Sequence, residues 1–261
     1  MTKILLYNIL DGCQDETRFN LLVKFVNKES PDILALLELN HWNDDNFKIL
    51  NNFKSLTGYE YHAFLETKTG YNIAVFSKVS FELVRHYIEK FHHGLLKVRV
   101  DDVELLITHL NPFDSTLRLV EVEEILSLTS PDQKTIILGD LNSLSPHDGY
   151  DENEVIQYME RKRIIKFGSG KIEYTSIDLL ENHDFFDAYL LKNKTFKHSV
   201  PTPSNSDDAH FMKLRLDYFF VNSALKPLID KIQIIQNNDT DQISDHYPIV
   251  LFLSEDQSKD L

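Results

Sequence analysis

Six groups of polar residues stand directly beside short apolar runs in this sequence. Four of the groups follow an apolar run and two precede one, and their side chains are carboxylates, carboxamides and imidazoles. Such groups bind hard metal ions through oxygen and move protons near neutral pH. The groups are Asn8, Glu38, His109 with Asn111, Asp140 with Asn142, Asp217, and Asp245 with His246.

The chemistry open to this set of residues is narrow. The chain has one cysteine, Cys13, which excludes a cysteine-based zinc site and an internal disulfide. Oxygen ligands with imidazole favour Mg²⁺ or Mn²⁺ over zinc or copper. The sequence lacks both a Gly-rich P-loop and a Gly-x-Ser-x-Gly elbow, which argues against a P-loop nucleotide hydrolase and a serine hydrolase. Metal-assisted hydrolysis of a phosphoester fits the residues best.

Taken singly, each group also has a purely structural interpretation. Asn8 could be a turn residue, His109 a hydrogen-bonded core histidine, and GDLN a simple turn after a strand. Glu38 is the most unusual, because a carboxylate after five apolar residues is costly unless it is paired or bound to a metal. The joint occurrence of all six groups is what favours a functional site.

The elements that must position these residues follow from the hydrophobic pattern. Short runs rich in β-branched and aromatic residues predict strands, and apolar residues at helical spacing predict helices. Their order predicts an α/β sandwich with a mixed sheet. If the last two strands run antiparallel to the others, all six groups meet at one end of the sheet. The predicted strands are 4–7, 33–37, 73–76, 95–100, 104–109, 135–139, 218–221 and 248–253, and the predicted helices are 14–28, 43–57, 115–128, 152–164 and 176–191.

Length, charge and hydropathy limit the number of domains and the kinds of partner that the chain can have. The chain of 261 residues suits one domain, predicted over 1–254, with a flexible tail over 255–261. Its formal net charge of −14 weighs against a broad non-specific nucleic-acid surface but leaves room for a small basic or metal-filled cleft. Without a long apolar segment, we expect a cytoplasmic protein with no stable membrane insertion. The oligomeric state stays open.

The ordered motifs YNIL, PDILALLE, THLN, GDLNSL, RLDYFFVN and SDHYPIV resemble those of the endonuclease/exonuclease/phosphatase superfamily, the DNase I-like phosphohydrolases. The resemblance runs from Asn8 to Val250, and GDLN and SDHYP are its most specific parts. It implies a four-layer α/β sandwich, in which two packed mixed β-sheets are flanked by helices. It also implies an Mg²⁺- or Mn²⁺-dependent phosphodiesterase or phosphatase.

The resemblance also implies a role for each residue. Glu38 would be the principal metal ligand, with Asn8 beside it and Asp245 completing the metal environment. The catalytic set would be His109, Asp140, Asn142, Asp217 and His246. In that set, Asp140 and Asn142 would position and activate water, and Asp217 would orient His246 against the scissile phosphate. His109 would stabilise the phosphate or assist the leaving group.

The substrate is open at this stage. It could be DNA or RNA, which would require a positive cleft, or a small phosphodiester. A member that binds a phosphorylated partner without turnover is a further alternative, although all the expected catalytic positions are filled. Leu10 and His109 depart from the pattern of abasic-site endonucleases, which argues against that branch. Selectivity is expected from the loops 40–46, 145–152 and 198–213.

Overall fold

Twelve strands and seven α-helices make up the described part of the chain, which in this computed structural model is residues 1–205, 210 and 212–254. The tail expected over 255–261 lies outside the described residues. The strands are β1 (Thr2–Asn8), β2 (Ile33–Leu37), β3 (Tyr61–Leu65), β4 (Ile73–Ser77), β5 (Glu82–Tyr87), β6 (Leu95–Val100), β7 (Val103–His109), β8 (Lys134–Asp140), β9 (Phe185–Asp187), β10 (Asp217–Asn222), β11 (Ile229–Ile234) and β12 (Ile249–Leu253). The helices are α1 (Glu16–Glu29), α2 (Asp44–Thr57), α3 (Ser115–Ser127), α4 (Glu152–Lys162), α5 (Thr175–Asn182), α6 (Ala188–Lys192) and α7 (Thr240–Ile243).

The strands form two six-stranded mixed sheets. Their orders are β11-β12-β1-β2-β4-β3 and β5-β6-β7-β8-β10-β9. Side chains alternate between the two faces of each strand, so each sheet has an inner and an outer apolar face. Ile4 and Leu6 pack between the sheets, whereas Leu5 and Tyr7 pack on the outer side with α1 and α2.

The second sheet follows the same rule. In β8, Ile136 and Leu138 join the core between the sheets, and Ile137 packs outward with Val122 of α3 and Leu180 of α5. The predicted four-layer α/β sandwich with two mixed sheets is therefore confirmed. Both faces of the central strands are buried, which explains why these strands are continuous apolar runs in the sequence.

All eight predicted strands are present, and the four that the sequence did not reveal are β3, β5, β9 and β11. These four are the edge strands of the two sheets. An edge strand is half-exposed, so polar residues interrupt its apolar run, as in ELVRHY of β5.

The prediction of a single helix over 176–191 is wrong in the middle of that range. Helix α5 ends at Asn182, the edge strand β9 follows, and α6 begins at Ala188. The chain needs this break because Phe185 pairs with Asn222 at the edge of the second sheet.

Helix ends follow the local chemistry of the sequence. Asp114 caps α3 by accepting hydrogen bonds from the backbone N–H groups of Thr116 and Leu117. Gly58 ends α2 in the left-handed conformation, as its position after the apolar face predicts. Within the described residues, none of the helices has the length and apolar content needed to cross a membrane.

Candidate active site

Strand directions bring the six polar groups to one end of the sandwich. In the first sheet β1 and β2 are parallel and β12 is antiparallel to β1; in the second, β7 and β8 are parallel and β10 is antiparallel to β8. The end of each parallel strand therefore meets the beginning of an antiparallel one. Asp140 is in register with both His109 and Asp217.

Glu38 leaves β2 in the left-handed conformation, with φ of 63°. Its Oε1 accepts a hydrogen bond from Asn8 Nδ2 at 2.9 Å, and its Oε2 accepts one from the backbone N–H of Asp11 at 3.1 Å. Burial raises the pKa of the Glu38 carboxyl to about 7, although the hydrogen bond from Asn8 opposes this shift. The charge of His246 also lowers this pKa and the charge of Asp245 raises it, so a cation between Glu38 and Asp245 would stabilise the carboxylate form.

His246 and Asp217 form a buried pair. The Nδ1 of His246 lies 2.7 Å from Asp217 Oδ2, so the imidazole donates this hydrogen bond to the carboxylate. Burial alone would lower the pKa of His246, but the charges of Asp217 and Asp245 outweigh it and raise the pKa to about 10. The imidazole is therefore positively charged at neutral pH, and its Nε2 is fixed in direction by the bond at Nδ1.

Asp140 lies at the centre of the cluster. Its Oδ1 accepts a hydrogen bond from the backbone N–H of Asn142 at 2.9 Å. Its Oδ2 lies 3.4 Å from Asn8 Nδ2, 3.4 Å from His109 Nε2 and 3.7 Å from His246 Nε2. These long separations leave the Oδ2 oxygen facing several donors without a short bond to any of them.

Asn142 fixes the loop after β8. It adopts the left-handed conformation with φ of 48°, and its Nδ2 donates to the carbonyl of Leu110 at 2.9 Å. The amide thus joins the strand end that carries Asp140 to the one that carries His109. Asn142 also lines the cleft.

His109 is buried and neutral. Burial lowers its pKa well below the usual value, and the positive charge of His246 lowers it further. Its Nδ1 is buried and has no hydrogen-bond partner among the described residues. The ring of His93 packs against it at 4.4 Å, and His93 Nδ1 is in turn hydrogen-bonded to Thr69 Oγ1 at 2.6 Å.

Two site residues have no clear signal in the sequence. His210 Nδ1 lies 3.1 Å from Asp245 Oδ2, and its Nε2 lies 3.4 Å from Lys166 Nζ. Burial would raise the pKa of Asp245, but the charge of His246 and the hydrogen bond with His210 hold it well below its usual range. His210 belongs to the loop at 198–213 that the sequence predicts to border the site, whereas Lys166 comes from a segment to which the sequence assigns no role.

Arg118 lies beside the site but is neither on the surface nor exposed to the cleft. Its side chain is buried and donates to the carbonyl of Asn111 at 3.0 Å, to Ser143 Oγ at 3.2 Å and to the carbonyl of Lys166. The guanidinium therefore joins three loops around the site. Trp42, four residues after Glu38, is fully buried and donates its ring N–H to the carbonyl of Gly12, so it is a packing residue that does not reach the cleft.

The cluster opens into a cleft of about 940 Å³. Six of the eight predicted site residues line it, and the other two, Asn8 and Asp217, support Glu38 and His246 from behind. Of the three loops that the sequence suggests, 198–213 contributes His210 to the lining, whereas 40–46 and 145–152 contribute no residue. The other walls come from Leu10, Asp11, Thr69, Tyr71, His92, His93, residues 112–114, Leu117 and residues 163–166. Five carboxylates line the cleft, and its only described Lys and Arg residues are Arg163 and Lys166.

The donor set fits a hard divalent cation. Buried carboxylates whose charges repel one another lie beside carboxamides, and the described residues supply no thiolate, because Cys13 is buried in the core. Two groups of three could also offer ligands, namely His210, Asp245 and His246, and Asp140, Asp217 and His246. The raised pKa of His246 keeps both of its ring nitrogens protonated at neutral pH, so the ring has no lone pair for a metal, which favours the oxygen groups around Glu38 as ligands.

Comparison with known proteins agrees with this architecture. The family profile described as Endonuclease/Exonuclease/phosphatase family matches residues 5–246. The chain belongs to this family. A search among curated proteins finds no match to the sequence.

Several solved structures resemble the family fold seen in this chain. An AP endonuclease from Archaeoglobus fulgidus has 16% sequence identity and a TM-score of 0.76, covering 98% of this chain and 100% of that one. The 3′ phosphatase NExo from Neisseria, bound to product DNA hairpin, has 17% identity and a TM-score of 0.73, with 98% and 100% coverage. The 3′-5′ exonuclease NExo from Neisseria meningitidis has 19% identity and a TM-score of 0.73, with 97% and 100% coverage. At these identities the likeness shows the fold alone.

Proposed function

We propose that this chain is a divalent-metal-dependent phosphoester hydrolase, and specifically a phosphodiesterase that uses water as the nucleophile. The observation that carries the proposal is the charged His246, held by Asp217, facing the carboxylate of Asp140 beside Glu38. A fixed cation next to a carboxylate suits attack of water on phosphorus, because one group stabilises the phosphoryl oxygens while the other accepts a proton.

The metal site of the proposal consists of Asn8, Glu38 and Asp245. Mg²⁺ or Mn²⁺ bound there would neutralise phosphate charge and polarise the phosphoryl group. The chain's own contribution is to hold two buried carboxylates close together, with the Glu38 carboxylate fixed by Asn8 and by the Asp11 backbone.

The proton transfers belong to residues of the second sheet. Asp140 Oδ2 accepts the proton of the attacking water as the new phosphorus–oxygen bond forms and the ester bond breaks, and the leaving oxygen departs with the electron pair of that bond and takes up a proton from solvent. His246 Nε2 donates a hydrogen bond to a phosphoryl oxygen, and neutral His109 lies on the other side of Asp140. Asn142 keeps the Asp140 loop in place through its bond to Leu110.

The proposed activity is tested by hydrolysis of bis-p-nitrophenyl phosphate with Mg²⁺ or Mn²⁺. We expect turnover that disappears with chelator and falls by about a hundredfold or more in Asp140→Asn, because a general base contributes that much. Asp178→Asn on α5, whose side chain lies outside the cleft, is the matched control. Absence of both turnover and metal binding would favour the alternative of a phosphate-binding protein without activity.

Nucleic acid remains the second candidate substrate. A structural neighbour was solved with product DNA hairpin, and that observation favours testing DNA. The charge of the cleft opposes it, because a groove for a nucleic-acid backbone requires a series of cations, and carboxylates outnumber cations among the described lining residues. A small phosphodiester is therefore the better-supported substrate.

A further inference from the structure

Three large apolar side chains are exposed in the wall of the cleft. Phe113 is 65% exposed, Leu117 is 51% exposed and Ile165 is 61% exposed, and all three line the space that contains Asp140 and His246. Single exposed apolar residues are ordinary on a protein surface, but several grouped beside a polar reaction centre indicate a contact surface for a ligand.

The folding of the loop does not explain the exposure of Phe113. An apolar residue just before a helix cap often packs on the fourth residue of the helix. In α3 that fourth residue is Arg118, whose side chain is hydrogen-bonded to three loops and offers no apolar partner to Phe113. The side chain of Asn111 accepts hydrogen bonds from the backbone N–H groups of Phe113 at 2.8 Å and Asp114 at 3.0 Å. The backbone of Phe113 is thus fixed while its ring faces the cleft.

Arg118 also fixes the apolar wall relative to the polar centre. Through the carbonyl of Asn111 it holds the loop of Phe113, and through the carbonyl of Lys166 it holds the loop of Ile165. Its third bond, to Ser143, reaches the segment that begins with Asp140. The distance between the apolar side chains and the reaction centre is therefore set before any ligand binds, which lowers the entropic cost of binding.

Aromatic rings continue from this wall toward the centre. Phe113 meets His92 edge-on at 5.6 Å, His92 contacts His93 at 4.4 Å, and His93 packs against His109. Rings in such an arrangement present both faces and edges to a flat partner, and aromatic pairs gain energy beyond the area they bury.

We propose that Phe113, Leu117 and Ile165 form a subsite for an aromatic ring carried by the phosphoester substrate. This inference rests on the proposed function, and it narrows the substrate to a small ester with one phosphate and an aryl group or nucleobase. The scarcity of cations in the cleft agrees with a single phosphate, and the apolar wall supplies the binding energy that a polyanion would draw from lysines and arginines.

Binding of phosphonates tests the subsite without requiring turnover. Phenylphosphonate, cyclohexylphosphonate and methylphosphonate are titrated calorimetrically into the protein with Mg²⁺, and thymidine 5′-monophosphate distinguishes a nucleobase from an aryl group. We expect phenylphosphonate to bind about tenfold tighter than methylphosphonate, because the ring leaves water. That ratio should fall severalfold in Phe113→Ser and in Leu117→Ser. It should stay unchanged in Leu83→Ser, whose side chain is 47% exposed outside the cleft.

The outcomes separate the subsite from the activity. Equal affinity for the phenyl and methyl compounds overturns the subsite, even if bis-p-nitrophenyl phosphate is hydrolysed. The same holds if the ratio survives in both serine variants, or if cyclohexylphosphonate binds as tightly as the phenyl compound. If the wild-type protein does not hydrolyse bis-p-nitrophenyl phosphate but still binds phenylphosphonate more tightly than methylphosphonate, the proposed activity is contradicted and the subsite is supported. Should one serine variant fail to fold, the other and Ile165→Ser provide the same measurement.

Discussion

His246 Nδ1 donates to Asp217 Oδ2 at 2.7 Å, while its Nε2 lies 3.7 Å from Asp140 Oδ2. The two carboxylates that this imidazole faces are partners across one antiparallel ladder, since Asp217 of β10 is in register with Asp140 of β8. Sheet register therefore sets the direction of the imidazole. A slip of one residue would turn Asp217 to the opposite face of the sheet and break the pair.

Asp217→Asn should change the pH dependence of turnover. Asp217 contributes most to raising the pKa of His246 against the effect of burial, so its loss lowers that pKa from about 10. The imidazole is charged below its pKa and neutral above it, so the variant should lose activity as pH rises through a lower value than in the wild type. We expect turnover to fall by about a hundredfold or more at neutral pH, measured as kcat from pH 5 to pH 10.

The exposed Asp230→Asn on β11 is the matched control for that experiment. Its pH profile should overlay that of the wild type. If Asp217→Asn also kept the wild-type profile, His246 would not act through its charge.

Glu38→Gln should weaken Mn²⁺ binding by about ten- to a hundredfold, because the neutral amide cannot match the charge of the metal. Calorimetric titration measures this directly, and Glu89→Gln, an exposed residue outside the cleft, should bind as the wild type does. The pKa of Glu38 is raised to about 7, so protons compete with the metal below that pH. Wild-type affinity should therefore fall as pH drops from 7, by up to about tenfold per unit. If Glu38→Gln bound Mn²⁺ as tightly as the wild type does, Glu38 would not be a metal ligand.

Arg118→Met should lower the free energy of unfolding by about 3 kcal/mol, since it leaves buried acceptors on three loops without a donor. Arg118→Lys should also destabilise the fold, because a single ammonium group does not reproduce the planar fork of the guanidinium. Urea unfolding measures both variants, with the exposed Arg161→Met on α4 as the control. A loss no larger than that of the control would show that the three loops hold their places without Arg118.

The sequence predicts the interior of this fold well and its edges poorly. The run ILALL is recognisable because β2 is buried on both faces, whereas in IDKIQI of β11, at a sheet edge, the exposed Asp230 and Lys231 interrupt the apolar residues. The eight predicted site residues are recognisable for a related reason: each lies within four residues of the end of an interior strand, so the strand prediction places it. Their catalytic and metal-binding roles stay predictions.

The walls of the cleft depend on contacts between distant loops, and for that reason the sequence does not reveal them. Lys166 reaches the site only because α4 ends at Lys162 and Arg118 binds the following segment. His210 contacts Asp245 across 35 positions of the chain, in a loop whose course local propensity does not determine. In the sequence, nothing distinguishes Phe113 from any other loop phenylalanine. Only the structure shows that its ring is exposed beside the reaction centre.

Gly12→Ala should be far more damaging than an alanine at another left-handed glycine. Gly12 has φ of 71° and Gly58 has φ of 75°, so both alanines carry the same backbone strain of about 1 kcal/mol. A Cβ at Gly12 would lie 2.2 Å from the carbonyl oxygen of Asn40, whereas a Cβ at Gly58 would meet nothing within 4 Å. Gly12 also donates its N–H to the carbonyl of Glu38 at 2.6 Å, so relief of the clash must move the segment that carries the proposed metal ligand. We expect Gly12→Ala to lose both stability in urea and Mn²⁺ affinity, while Gly58→Ala loses only the shared strain. If the two variants had equal free energies of unfolding, the segment after β1 would be able to move away from the added Cβ without loss of stability.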